Sequence, residues 1–424
     1  MKIFAGIDFG TTNTSAAISR GAAACLVRID GENATIPSAI FFTEKDNLIL
    51  FGRDAVNRYM DKEPGRFMRS LKRVLGTSLI NSGTVVNGRP VAFQSILCAF
   101  IKNIKSKMDA AAGQSIEQVV MGRPVHFCEN DSDGDARAEK ELEQIAQCAG
   151  FKEVLFQYEP IAAAFAHERF LQHEQLAAVI DIGGGTSDFA IIRLGGDRAA
   201  MADRRDDILA ASGVRVGGND FDKQLSLRAF MPEFGMGTKY NAGTKDMPKM
   251  ITVPTSHFFD LSEWSRINSI YEHKSMRLAQ KHMACSAAPL QYGRLIEVLE
   301  RQLGHKVLAA VEDAKISLSD ADTTAAMLDF MSPKMEIPVN RKEFEQAVDN
   351  NMDKIIGSVK KCVNLANVSP NAVQLVILTG GSTEIPHVRD TLCGLFPNAK
   401  ISDGDKLSSV GLGLAFDASR RFLR

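Results

Sequence analysis

The chain has 424 residues, 45% of them hydrophobic and 24% charged, with a formal net charge of −1. That is the composition of a globular protein with enough chain for two or three domains, or for two lobes sharing one architecture. It argues against a nucleic-acid partner, which would leave a basic stripe, and against a membrane partner, since no apolar run is long enough to span a bilayer.

Met1-Lys2 runs straight into Ile3 without the apolar segment of a secretory leader, so a reducing cytoplasm is the expected location. Ile3 to Ile7 predicts a strand, Asp8-Phe9-Gly10-Thr11-Thr12-Asn13 a tight turn, and Ala16 to Ile18 a returning strand. Val119-Val120-Met121-Gly122 reads as a buried strand ending at Arg123-Pro124, and Asn130 to Asp135 as an acidic loop. Ala136 to Ala149 predicts an amphipathic helix with Leu142, Ile145 and Ala146 on one face, stopped by Gly150. Val154-Leu155-Phe156 is another strand, and Glu159-Pro160 opens a small-residue helix over Ile161 to Ala166.

The plan then repeats. Ala177 to Ile180 and Phe189 to Ile192 flank a second turn, Asp181-Ile182-Gly183-Gly184-Gly185-Thr186-Ser187-Asp188. Between Phe230 and Leu290 the periodicity breaks down, which predicts an insertion with helix over Leu261 to Leu278 and the single tryptophan, Trp264. Val376 to Thr379 predicts a strand whose turn, Gly380-Gly381-Ser382, opens a helix from Pro386 to Leu395. A small-residue helix begins near Gly411. The seven cysteines are scattered, and Cys25, Cys98 and Cys148 are expected as buried thiols, neither ligands nor disulfides. There is no zinc-type spacing.

Two glycine turns with the same aspartate, glycine and threonine order carry the chemistry. Glycines allow a sharp turn that exposes consecutive N–H groups, and threonine hydroxyls add donors. Asp8 and Asp181 can hold a hydrated divalent cation, and two facing hairpins can grip a polyphosphate from both sides. A bland alternative exists for each accessory residue. Lys72 sits in the basic run Arg66, Arg69, Lys72, Arg73, which can be a solvated face. Glu159 can be a charge at a helix N-terminus. Glu312 and Lys315 can be a surface ion pair, and Gly217 and Gly218 a simple loop turn.

Taken together, the motifs resemble the nucleotide-binding domain of the Hsp70 chaperones, within the actin, hexokinase and Hsp70 superfamily. Ile7 to Thr12 and Asp181 to Asp188 are similar to that family's two phosphate motifs, and Ser70 to Gly76 to the segment bearing its catalytic lysine, here Lys72. Tyr158 to Ala164 resembles the hinge motif, Gly217 to Asp222 a segment of the second lobe, and Gly380 to Pro386 the adenosine motif. Glu312, Lys315 and Ser319 fall where the family contacts adenosine.

The resemblance implies an α/β, actin-like ATPase fold of two lobes, each on a ribonuclease H-like mixed sheet. Lobe I would be 1–172 with 403–424 packing back, and lobe II 173–402 with the insertion at about 230–290. It implies a chaperone-type ATP-binding protein with slow hydrolysis, ATP/ADP and Mg²⁺ as cofactors, and an unidentified protein client or co-chaperone. Thr11, Thr12 and Asn13 would meet the phosphates from one side, and Gly183, Gly184, Gly185 and Thr186 from the other. Glu159 and Asp188 would orient the attacking water or take its proton.

The chain departs from the pattern at Ile316 and Glu384, where the family has arginines that sandwich adenine. The late Asn-Pro-Asp-Glu motif is absent, with Asp405 the nearest carboxylate. No linker and peptide-binding sandwich is expected after the last helix, as in a short bacterial Hsp70-like branch. A nucleotide-sensing module with little turnover and a small-molecule kinase are the competing expectations.

Overall fold

The computed structural model describes residues 2–21, 23–128, 131–195, 198, 201, 204–244, 246–271, 273–286, 288–403 and 408–423; Asn130 and Asp405 lie outside them. The chain forms two compact units. One holds Met1–Gly218, Lys354–Glu384 and Val388–Arg424, and the other Asn219–Asp353 and Ile385–His387.

In the first unit one five-strand mixed pattern is built twice, and the first sheet adds a sixth strand, Thr35–Pro37, paired with Asn13–Arg20. One sheet runs in the order Glu153–Tyr158, Gln118–Arg123, Ile3–Phe9, Asn13–Arg20, Ala23–Leu26. Its first three strands are parallel, and its last three are antiparallel. The other runs Lys400–Asp403, Leu375–Thr379, Gln175–Ile182, Ser187–Leu194, Ile208–Val214, with the same switch from parallel to antiparallel at its third strand. This is the expected α/β actin-like fold, one ribonuclease H-like sheet per half. Ala177 to Ile180 are all buried, as strands covered on both faces require.

Two small-residue helices, Glu159–Glu168 and Ser409–Phe422, hold this unit together. They cross backbone to backbone: a Cβ on Gly413 would fall 1.7 Å from the Ala162 carbonyl oxygen, so no larger residue fits. Ala162, Ala163, Val179, Ile192, Ile377 and Leu414 share one buried cluster around that crossing.

The second unit includes the antiparallel pair Thr323–Leu328 and Met335–Asn340 and the helices Pro289–Glu300 and Gly304–Asp320. The helix expected over Leu261 to Leu278 is broken into several short elements. A helix runs Ser256–Leu261, a 3-10 turn Ile267–Tyr271, and a helix His273–Cys285. Ser262 ends the first of these by turning its hydroxyl back to the Phe258 carbonyl, at 2.7 Å.

Three further expectations are corrected. The acidic loop is shorter than expected, because a helix spans Ser132–Cys148, with Asp131 accepting the Gly134 N–H as its cap. Cys25 is exposed, since it lies on the edge strand Ala23–Leu26. Cys98 and Cys148 form a disulfide. Helices Phe93–Ala112 and Ser132–Cys148 pack through Leu97, Ile101, Leu142 and Ile145, and this brings the two Cα atoms to 6.0 Å, within bridging range. Fifty residues separate the cysteines, and that spacing carries no sign of the facing helix positions.

Candidate functional site: two glycine turns and a buried charge cluster

The first hairpin ends in the register pairs Asp8 with Ser15 and Phe9 with Thr14. The second ends in Asp181 with Asp188 and Ile182 with Ser187. Gly10, Thr11 and Thr12 form one turn, leading into Asn13; Gly183 to Thr186 form the other. The turns face each other closely: a Cβ on Gly185 would fall 2.8 Å from the Thr11 hydroxyl oxygen.

Each turn is held from behind. Ser38 donates its hydroxyl to the Gly10 carbonyl (2.7 Å) and its N–H to the Thr12 carbonyl (2.8 Å). Behind the second turn, the Gly218 N–H donates to the Gly183 carbonyl (2.9 Å), and Gly217 packs against Gly183, Gly184 and Gly185. Gly380 lies against the Ile182 carbonyl, and the Ser382 hydroxyl donates to that of Gly183 (3.4 Å). Gly381 begins a 3-10 turn in the same loop. Gly217 and Gly218 therefore brace the second glycine turn and are more than a loop connection.

Lys72 is not on a solvated face. It is 7% exposed, on the 3-10 turn Leu71–Val74, which Leu71 and Leu75 anchor in the core. Its ammonium donates to Glu159 Oε1 at 2.7 Å. Glu159 is the first residue of its helix, ahead of Pro160, and its place beside Asp8 depends on Gly122. A Cβ there would fall 3.2 Å from Glu159 Cγ and 3.6 Å from the Asp8 Cα. Asp188 is fixed by the Val125 N–H, which donates to its Oδ1 at 2.6 Å.

The electrostatics follow from burial. Four carboxylates, Asp8, Glu159, Asp181 and Asp188, surround one ammonium. Burial pushes the Asp8 carboxyl up to about 7, with Glu159 adding repulsion and Lys72 opposing. Asp188 also rises to about 7, again through burial and then Glu159, offset by the Val125 N–H, the Thr186 hydroxyl and Lys72. Asp181 is driven well above the carboxylate range by burial, then by Glu159, Asp188 and Asp8. Burial disfavours the Lys72 ammonium, but Glu159, Asp8 and Asp188 outweigh it and raise the lysine above its ordinary value.

A site this rich in desolvated carboxylates suits a hard divalent cation, which would replace protons there. Mg²⁺ gives up its waters reluctantly, so Asp8 and Asp181 would hold such a cation through its hydration shell. The Thr12 hydroxyl is buried with no partner and is a free donor for an anion at the first turn.

All of these residues belong to the first unit. Glu312, Lys315 and Ser319 belong to the second, along the helix Gly304–Asp320. Lys315 pairs with Asp222 at 2.7 Å. Ile316 on that helix is 56% exposed. Sequence reasoning missed Ser38, Val125 and Gly122 as parts of the site. Ser38 and Val125 act through a hydroxyl and a backbone N–H that no local pattern singles out. Gly122, a lone glycine inside a strand, did carry the usual sign of a close approach.

A family model described as Hsp70 protein matches residues 4–252 and 293–419. The chain belongs to the Hsp70 family, and its ATP-binding character follows from that membership.

Proposed function

We propose that the chain is a slow, Mg²⁺-dependent ATPase of chaperone type in the cytoplasm, with lobes 1–172 and 173–402 closing on ATP. The observation that carries this reading is the pair of glycine turns meeting at Thr11 and Gly185, with the Lys72–Glu159 ion pair beside them.

In this reading the N–H groups and hydroxyls of Thr11, Thr12 and Asn13 donate to phosphate oxygens from one side. Gly183, Gly184, Gly185 and Thr186 donate from the other. Mg²⁺ neutralises phosphate charge when bound, and Asp8 and Asp181 would hold it through its waters. Lys72 keeps its proton, as its raised pKa requires, and sets a positive charge where the transferred phosphoryl develops negative charge. Glu159 orients that ammonium. Asp188, near neutral in its titration and fixed by the Val125 N–H, is suited to orient water and accept its proton.

The nucleotide-sensing module remains a second reading because Ile316 and Glu384 cannot stack on adenine as a guanidinium does. Steady release of phosphate from ATP, with Mg²⁺ and no acceptor, supports the ATPase. Nucleotide binding without release supports the module. ADP formed only in the presence of a small-molecule acceptor, with the phosphoryl group found on that acceptor, supports the kinase.

A further inference from the structure

The Cys98–Cys148 disulfide lies outside the site, yet its two helices carry the segment that positions Lys72. Cys148 is the last residue of the helix Ser132–Cys148. Glu141 lies seven residues earlier, two turns away on the same helix face. Its Oε2 accepts the Gly76 N–H at 2.7 Å. Gly76 closely follows the 3-10 turn Leu71–Val74 that bears Lys72, and it adopts a left-handed φ of 73°. The partner helix Phe93–Ala112 packs Leu97 and Ile101 into the cluster that holds Leu71 and Leu75. The bridge thus joins the two walls between which the Lys72 segment is held.

The two cysteines differ in exposure. Cys98 is 8% exposed, whereas Cys148 is exposed at a helix end. We propose that Cys98–Cys148 is a thiol–disulfide switch that sets the order of the Lys72 segment. Its catalytic consequence rests on the function proposed above, but the switch itself does not. A glutathione-class thiolate attacks the sulfur of Cys148, the exposed residue of the pair, and Cys98 leaves as a thiolate that takes up a proton. A second such thiolate attacks the mixed disulfide and releases Cys148. Two protein thiols and one oxidised small disulfide result, with two electrons transferred. Oxidation by the small disulfide is the reverse. With the bridge open, the helix end bearing Cys148 frays and the Glu141–Gly76 contact weakens.

The test is hydrogen exchange on the intact chain in oxidised and reduced glutathione buffers, with the redox state of the pair read by thiol alkylation and mass spectrometry. The pair is expected to interconvert across these buffers. Exchange at Gly76 and over 71–77 is expected to quicken on the order of tenfold on reduction. Cys98→Ser and Cys148→Ser should each behave like the reduced chain in either buffer. A pair that never changes state, or equal exchange at Gly76 in both states, overturns the proposal. If the redox-linked exchange occurs but no ATP is hydrolysed, the switch stands and only the catalytic reading fails.

Discussion

In the first hairpin Asp8 faces Ser15 across the ladder, and in the second Asp181 faces Asp188. The ladders close in corresponding pairs, Phe9 with Thr14 and Ile182 with Ser187, and the residues opposite the leading aspartates are equally buried, at 1% each. Their surroundings differ. Ser15 is covered by Gly411 of the last helix, where a Cβ would fall 2.5 Å from its hydroxyl oxygen. Asp188 instead receives the Val125 N–H and keeps a carboxylate in the charge cluster. One backbone thus has two settings: the first hairpin packs Ser15 against a helix, and the second places Asp188, to which we assign the acid–base role, in the charge cluster. The buried charge is therefore asymmetric even though the scaffold is duplicated.

The largest effect should come from the charge that the two turns share. Lys72→Ala should lower single-turnover hydrolysis by at least about 10²-fold while changing ADP affinity little, because the ammonium acts on the transferred group. An unchanged rate would remove Lys72 from the mechanism. The paired positions come next. Asp188→Asn should slow turnover by about 10²-fold, whereas Ser15→Ala, which deletes a buried hydroxyl with no partner, should stay within about twofold. Equal losses at the two positions would erase the asymmetry.

The pH dependence of stability sharpens the comparison further. Below about pH 4 Asp8 and Asp188 are protonated both folded and unfolded. Above it, their unfolded forms ionise while the folded ones hold their protons up to about 7. These groups therefore cost stability as pH rises from about 4 to 7, and the loss levels off above that. Urea midpoints without nucleotide should fall over this range, less steeply in Asp188→Asn and no less steeply in Ser15→Ala. Identical slopes in wild type and Asp188→Asn would contradict the assignment. A smaller effect is expected at the base. With Ile316 and Glu384 in place of stacking arginines, ATP and GTP should bind within about tenfold of each other, and a strong adenine preference in competition binding would show a pocket rebuilt by other residues.

The duplicated turns were legible because glycine, threonine and aspartate in one order have few other uses, and the strands around them are unbroken apolar runs. The roles proposed for Lys72 and Glu159 come only from the family resemblance. A lysine in a basic run looks solvated until Leu71 and Leu75 draw its turn into the core. What could not be read arises from contacts between distant segments. Ser38 reaches Gly10 across 28 residues and Val125 reaches Asp188 across 63, and neither leaves a local pattern. The disulfide was misread for the same reason: its pairing comes from helix packing. In the region around Trp264 the expected helix over Leu261 to Leu278 is interrupted, because Ser262 turns its hydroxyl back to the Phe258 carbonyl at the end of Ser256–Leu261, a contact that periodicity does not register.

The central claim is that the facing turns bind a polyphosphate through a hydrated divalent cation held near Asp8 and Asp181. Calorimetric titration of the intact chain with ATP, with Mg²⁺ and with the metal chelated, tests it most directly. The account predicts saturable heat with Mg²⁺ and at least about tenfold weaker binding without it. No heat with Mg²⁺ at protein concentrations well above micromolar, or the same affinity with the metal removed, would contradict it.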